Sequence, residues 1–406
     1  MAVVDEGVYE HRQFLGLRNR VGPSGFELGD LDAAENIDLD DTGGAMLRRG
    51  HGAASIAGSC HSLWSNGDFC YAVIANALTQ VLSGLATKTL RSGLTADRRV
   101  EYVAVGDRTF YANGIENGIV QAGASRAWGL PVPHAPTVSL VPGELLPGRY
   151  QVVLTYLRAD LQESGASLAT VVDVVAGQGL SIALPAAPSS EITTSAVYVS
   201  KPDGTTLYLS QMVSSAATLA VYLYPGPTVA TLGTQHLGPP PVGDFLGIYN
   251  GHALVATGDT LFYSEPYAYE LFDLRRRQRF GSRIVMVAPV KGGVFVGTEN
   301  QTIFLEGPTP DRFNFQILSD YGVIPHTASR TSASRVESAR TGDCVVWTSK
   351  RGICAGFDGG TMLNLTEDRF AYPVQLTGGG LVRLWRGINQ YVATLRGTEV
   401  PGNIAG

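Results

Sequence analysis

Apolar and polar positions alternate along this chain in short runs, and the runs come in pairs around a glycine- or asparagine-type turn. The clearest pair reads Tyr102-Val-Ala-Val-Gly-Asp-Arg-Thr-Phe-Tyr111, and a second reads Leu254-Val-Ala-Thr-Gly-Asp-Thr-Leu-Phe-Tyr263. A looser third is Val294-Phe-Val-Gly-Thr-Glu-Asn-Gln-Thr-Ile-Phe304. A period of two, a tight turn and aromatics on the return predict β-hairpins rather than helices. Each hairpin has one apolar face that it cannot bury alone. Copies that recur every ~30–50 residues therefore predict sheets that pack on one another. Candidate cores lie near 70–81, 100–112, 253–264, 294–305, 344–356 and 390–395, with an N-terminal hairpin at 37–49. Asp30 to Asn36 predicts at most one short helical turn.

Two proline clusters interrupt this pattern, Leu130-Pro-Val-Pro-His-Ala-Pro136 and Leu237-Gly-Pro-Pro-Pro-Val-Gly243. Proline runs favour stiff, extended backbone outside sheets, which suits a boundary. Between them lie seven candidate strands, at 137–140, 150–158, 168–175, 180–184, 195–200, 206–213 and 218–223. Lys201-Pro-Asp-Gly-Thr205 predicts a turn in which Pro presets φ and Gly supplies a positive φ. Seven short strands in about 100 residues predict a β-sandwich. The stretch from Tyr156 to Glu163-Ser-Gly165 resembles a fibronectin type III module. The flanks alone hold too few hairpins on the N-terminal side to close a ring. The expectation is thus an all-β chain: a discontinuous β-propeller of about six blades (1–132 and 241–406) interrupted by an immunoglobulin/fibronectin III-like β-sandwich (133–240). A strand from near the N-terminus is expected to pair into the last blade and remove the free edges.

Composition narrows the partners. Charged residues make up only 16%, with 49 Gly and 21 Pro, which suits short strands and tight turns and argues against helical bundles. A net charge of −6 is not that of a chain that grips nucleic acid tightly. Met1 to Gly7 has no basic start or apolar core, so no secretory signal is expected, and no stretch approaches the ~18 apolar residues of a membrane span. Cys60/Cys70 and Cys344/Cys354 read as small thiols, with cross-strand disulfides as the alternative; no Cys-x-x-Cys spacing points to zinc.

Chemistry is sparse. Asp38, Asp40 and Thr42 followed by Gly43 open like a calcium loop, but the twelfth position is Arg49 where a bidentate Glu belongs, so a hairpin fits better. Seven histidines (His11, His51, His61, His134, His236, His252, His326) stand singly, without the spacing of a helical metal site. No nucleophile elbow, Walker loop or dinucleotide fingerprint is present. No cofactor and no catalytic residue is expected. The densest charge feature is Leu274-Arg-Arg-Arg-Gln-Arg279 with Arg283 close behind. Arg275, Arg276, Arg277, Arg279 and Arg283 read either as a solvated loop with Glu270 and Asp273 as local partners, or as a clamp on an acidic protein or on phosphates.

Two stretches resemble a known family. Phe14-Leu-Gly-Leu-Arg-Asn-Arg20, then Leu31-Asp-Ala-Ala-Glu-Asn-Ile-Asp-Leu-Asp-Asp41 and Leu47-Arg-Arg-Gly50, are similar to the start of tail nozzle or tail hub proteins of short-tailed, podovirus-like bacteriophages. Tyr263-Ser-Glu-Pro266, Val296-Gly-Thr298, Phe304-Leu-Glu-Gly307 and Tyr321-Gly-Val-Ile-Pro325 resemble later blades of the same proteins. The matches touch about a third of the chain. The resemblance implies a virion tail subunit assembled in the host cytoplasm, a ring, typically a hexamer, below the portal and adaptor. Its partners would be copies of itself, the connector proteins above, and tail fibres or a needle, with DNA passing through the lumen without specific binding and no membrane anchor. The rivals are a glycan-binding or glycan-cleaving propeller and a receptor-binding tail protein with the sandwich as recognition head.

Overall fold

A computed structural model describes residues 13–20, 23–40, 42–48, 56, 58–226, 228–369, 371–372, 375–385 and 387–398. Met1 to Gly7, His11, Asp41, Arg49, Gly50 and His51 lie outside the described residues. The chain is all-β, built of small antiparallel sheets, and no α-helix occurs among the described residues. It falls into two compact units, 58–279 and 1–57 together with 280–406.

In the N-terminal segment Gly16–Leu17 pairs in parallel with Asp30–Leu31, and Ile37–Leu39 pairs with Ala45–Leu47. Sheet A follows (Cys60–Ser65, Cys70–Ile74, Ala77–Val81, Thr87–Arg91), then sheet B (Glu101–Val105, Arg108–Ala112, Asn117–Gln121, Ala124–Arg126). Next come the three strands of sheet C (Thr137–Pro142, Gln178–Ala183, Leu219–Tyr222) and the four of sheet D (Gly148–Arg158, Thr170–Val174, Ile192–Ser200, Leu207–Ser214). Sheet E is Phe245–Tyr249, His252–Thr257, Thr260–Glu265 and Ala268–Arg279. Sheets F (Ile284–Val290, Gly293–Thr298, Thr302–Glu306, Asn314–Ser319) and G (Ser329–Ser332, Asp343–Ser349, Gly352–Phe357, Met362–Asn364) precede a last hairpin, Gln375–Trp385 with Ile388–Thr398. A, B, E, F and G are meanders in which each strand pairs with the next in sequence.

Local chemistry explains the recurring phrase. In its two clearest copies Val105 pairs with Arg108 and Thr257 with Thr260, which leaves two-residue turns, Gly106-Asp107 and Gly258-Asp259. Gly106 sits at φ 57° and Gly258 at φ 58°, values that L-residues with a Cβ adopt only at a cost. A positive φ at the first turn position matches the twist of the flanking strands. The looser third copy turns differently: the Thr298 hydroxyl accepts the N–H groups of Asn300 and Gln301 in a longer loop.

Consecutive aromatics on the return strand serve opposite faces, because side chains alternate along a strand. In the unit 58–279, Tyr111 of sheet B joins Tyr71, Val73, Leu78 and Tyr102 in a core shared with sheet A. Its neighbour Phe110 joins Ile119, Trp128, Leu246, Val255 and Phe272 in a core shared with sheet E. Sheet B is therefore buried on both sides. Each such aromatic contributes about 1.5–3 kcal/mol by leaving water.

Sheets C and D face one another across a core that includes Tyr150, Val152, Leu154, Leu180, Ile182, Val197 and Val199. The outer face of sheet D is covered by the chain returning from it, where Ala166 and Leu232 pack on Val153, Ala196 and Tyr198. The Lys201–Gly204 turn forms as the sequence suggests, except that Asp203, at φ 57°, takes the positive φ in place of Gly204. An Asp tolerates that region better than most residues with a Cβ, and its carboxylate is engaged by the N–H of Arg149 at 3.0 Å.

In the other unit, Phe295 packs on Phe304 (4.9 Å between centroids) and on Trp347 (5.7 Å), joining sheets F and G. Cys344, Val346, Ala355 and Phe357 form the next core, with Tyr391 of the last hairpin against it. The N-terminal segment folds onto this C-terminal part. Asn19 exchanges two hydrogen bonds with the Ala371 backbone (2.9 and 2.7 Å), Arg20 reaches Arg351 O at 3.1 Å, and Asp30 pairs with both Arg18 (3.0 Å) and Arg369 (3.3 Å). The N-terminal strands pair with each other, and among the described residues none adds to sheet G or to the last hairpin, contrary to the expected strand addition. Side chains make the junction instead. Asp30 begins a strand where a helical turn was expected, since its carboxylate is committed to the Glu27 N–H at 2.9 Å and to Arg18.

Cross-strand register decides the cysteines. Cys354 lies opposite Trp347, and Cys344 opposite Phe357, which puts the two thiols on opposite faces of sheet G. Cys60 and Cys70 stand at opposite ends of their hairpin, opposite Ile74 and Ser65. All four are free thiols, and burial pushes Cys344 up to about 12.

Candidate interaction surface

The arginine run lies on the outer edge of sheet E, not in a loop between sheets. Arg275, Arg276, Arg277 and Arg279 belong to the strand Ala268–Arg279, whereas Arg283 falls beyond it, in the other compact unit. The strand is interrupted where it matters. Phe262 pairs with Arg277 and Ser264 with Phe272, so four residues, 273–276, bulge opposite Tyr263 alone. Asp273 pins this bulge by accepting the Arg275 N–H at 3.0 Å.

The bulge also sets the ion pairs. Arg275 makes a two-point contact with Asp273, Nε to Oδ1 at 2.9 Å and Nη2 to Oδ2 at 2.8 Å. That contact holds the Asp273 carboxyl down to about 2, against the opposing effect of its burial. Arg276 reaches Glu265 at 2.6 Å and lies over the Tyr263 ring at 5.4 Å. Arg279 reaches Asp259 at 3.0 Å. Arg277 is exposed and donates to Leu274 O at 2.9 Å, meeting no carboxylate among the described residues. Glu270, expected as a local partner, instead faces sheet B and binds Arg108 at 2.7 Å, under the rings of Phe110 and Tyr269. Three of the four strand arginines are thus balanced within the sheet. Long cationic side chains on an edge strand also obstruct pairing by a further strand.

Other candidate groups occupy structural places. Asp40 accepts the Thr42 N–H (2.9 Å), the Thr42 hydroxyl (2.7 Å) and the Gly44 N–H (2.8 Å), closing the hairpin turn that the calcium-like phrase resembled. His61 bonds to the Ser62 hydroxyl at 2.8 Å, and burial with Arg99 nearby lowers its pKa. His252 is buried against Ser264 O at 2.7 Å. Among the described residues no cluster of three His, Cys, Asp or Glu side chains could hold a metal. No helix there is long and apolar enough to cross a membrane.

Two features were not visible in the sequence. One is the seat of the sandwich on sheets B and E. Arg158, with its side chain 6% exposed, binds Glu191 (2.9 Å), Asp160 (3.3 Å), Ala127 O (3.2 Å) and Gln162, while Arg126 takes the other side of Asp160. Trp128 donates to Tyr269 O at 2.9 Å, and Gly238 exchanges two backbone hydrogen bonds with Phe272. The second feature is a tyrosine-lined pocket at the open end of the sandwich. Its strand residues run from Tyr150 to Tyr222, about 70 positions apart, and only their inward parity could have hinted at it.

No family model matches the chain, and no curated protein does. Among solved structures it is similar to a streptogramin B lyase (10% identity, 84% of this chain and 96% of that one, TM-score 0.35). It is similar as well to the computationally designed Ika8 protein (11% identity, 84% and 95%, TM-score 0.26) and to Kluyveromyces lactis Hsv2 (7% identity, 80% and 86%, TM-score 0.28). Likeness this distant carries no argument about activity.

Proposed function

We propose that this chain is a structural subunit of a phage tail, a propeller of meander sheets interrupted by a fibronectin-like sandwich that assembles into a ring around the path of DNA. One observation carries the reading: the N-terminal segment is tied to the C-terminal sheets inside one compact unit, through Asn19, Arg20 and Asp30, as closing a circle of repeated sheets requires. The division into 1–132, 133–240 and 241–406 belongs to the same proposal, as do the hexamer, the connector and fibre partners and the tail location. The role is scaffolding, without catalysis. Arg277, which donates to a backbone carbonyl and meets no carboxylate among the described residues, is flanked by paired arginines and is the group through which the edge of sheet E would meet an acidic neighbour.

A conduit must let DNA pass. Each phosphate that a cation neutralises adds affinity and would slow transit. Six copies at −6 give a ring of about −36, a repulsive wall at low salt that is partly screened at physiological ionic strength. Anisotropy of a labelled duplex, titrated with the chain at about 0.15 M salt, is expected to show no saturable binding. A Kd tighter than about 1 µM would contradict the conduit. A second reading, contact with a receptor, is favoured by the pocket in the sandwich.

A further inference from the structure

Tyr150 of sheet D, Tyr208 on its edge strand and Tyr222 on the edge of sheet C converge at the open end of the sandwich around a cavity of about 310 Å³. Their placement follows from register. Tyr208 pairs with Val199 and Tyr222 with Leu180, both core residues, so the two rings turn inward from opposing sheets. A bulge adds to the site. Tyr198 pairs with Leu209 and Val197 with Gln211, which leaves Ser210 unpaired and on the pocket wall. The two edges are held at fixed spacing by Gln211, whose Nε2 donates to Val221 O at 2.9 Å.

The polar groups are arranged in advance. The Tyr150 hydroxyl donates to Leu146 O at 3.0 Å and the Tyr222 hydroxyl accepts the Gly226 N–H at 2.7 Å. The Tyr208 hydroxyl has no partner among the described residues. Ser210 and Thr228 add further hydroxyls, the Ser200 hydroxyl being held between the Gln151 N–H and Lys201 O (both 2.9 Å), and Leu146, Val199, Pro202 and Pro225 supply apolar wall. Among the described residues Lys201 is the one charged side chain on the lining; it lies 5.6 Å from the Tyr208 ring and forms no ion pair with them. Among the described residues no carboxylate lines the space. The volume sits at the lower end of small-molecule sites, which admits one ring and excludes a run of peptide residues.

A ligand that suits these walls is compact and cyclic, apolar on one face, rich in hydroxyls and negatively charged. We propose that the pocket binds a single uronic-acid unit of an acidic polysaccharide. The tyrosine rings take the apolar face of the pyranose, and Lys201 takes its carboxylate. The site lies wholly within the sandwich and does not depend on the ring assembly proposed above.

Calorimetric titration of the full chain with trimers of galacturonate, glucuronate and mannuronate tests this, with maltotriose and a proline-rich peptide alongside. At least one uronate trimer is expected to saturate the site and to bind about tenfold or more tighter than maltotriose. Lys201→Gln is expected to weaken that binding about tenfold, the loss of one charge-assisted contact, and Lys201→Arg to retain most of it. Lys201 is exposed, so neither variant threatens the fold. Tyr208→Leu is expected to abolish saturation. Failure of all three uronates to bind, unchanged affinity in Lys201→Gln, or preference for maltotriose or the peptide would overturn the proposal.

Discussion

Gly165→Ala is expected to lower the stability of the unit 58–279 by about 3 kcal/mol or more, the range of a methyl group forced into packed backbone. A Cβ at Gly165 would stand 1.7 Å from Leu237 O, a main-chain atom that no rotamer change can move. Both sides of that contact are fixed. Ser164 and Ser167 flank Gly165, and each bonds in both directions to the strand Gly148–Arg158. Gly238, next to Leu237, is held by its two hydrogen bonds to Phe272 of sheet E. Relief of the clash therefore requires the sandwich to lift from sheet E or its own serine contacts to break. Gly233 lies on the same returning segment, and a Cβ there would meet nothing within 4 Å. Gly233→Ala is expected to stay within about 0.5 kcal/mol of the parent. Urea unfolding followed by tryptophan fluorescence reads both, and equal midpoints for the two variants would show that the close approach is not obligatory.

Arg158→Met is expected to cost a similar amount, about 3 kcal/mol, at the low end for breaking a buried ion pair because Glu191 and Asp160 remain partly in water. Methionine fills the space but cannot donate to Ala127 O or neutralise Glu191. The contrast is Arg149→Met: the Arg149–Asp173 pair is exposed on both sides, and its loss is expected to cost less than about 1 kcal/mol. Double-mutant cycles with Glu191→Gln and Asp173→Asn separate the pair terms from packing. A coupling for Arg158–Glu191 no larger than that for Arg149–Asp173 would mean that the sandwich is seated by its apolar contacts, Leu130 with Tyr156 and Ile192, rather than by the guanidinium.

What could be read ahead of the structure was local. The Gly-Asp turns at 106–107 and 258–259 announce their hairpins because a positive φ and a two-residue loop are properties of adjacent residues. The sandwich strands likewise follow from alternation over four to eleven residues and from proline punctuation. The faces of sheet B were half legible: the phrase predicted one apolar face per hairpin, whereas Phe110 and Tyr111 bury both sides of the sheet. The partners of the arginines were misread at Glu270 because a four-residue bulge opposite Tyr263 resets side-chain parity, and nothing in Leu274-Arg-Arg-Arg-Gln-Arg279 encodes that shift. The seat of Arg158 and the pocket around Tyr208 were not legible, since each gathers residues separated by long loops whose meeting depends on tertiary register. The N-terminal segment was expected to add a strand to the last blade; its contacts with the C-terminal part run instead through Asn19, Arg20 and Asp30, whose polar character reads in sequence as ordinary surface.

The ring is the claim on which the functional reading turns. Mass photometry of the purified chain across a concentration series, with negative-stain imaging of the same sample, tests it directly. The expected result is a species at six times the 43.0 kDa chain mass, seen end-on as an annulus with a central hole. A single 43.0 kDa species at every concentration, with no annular particles, would contradict it.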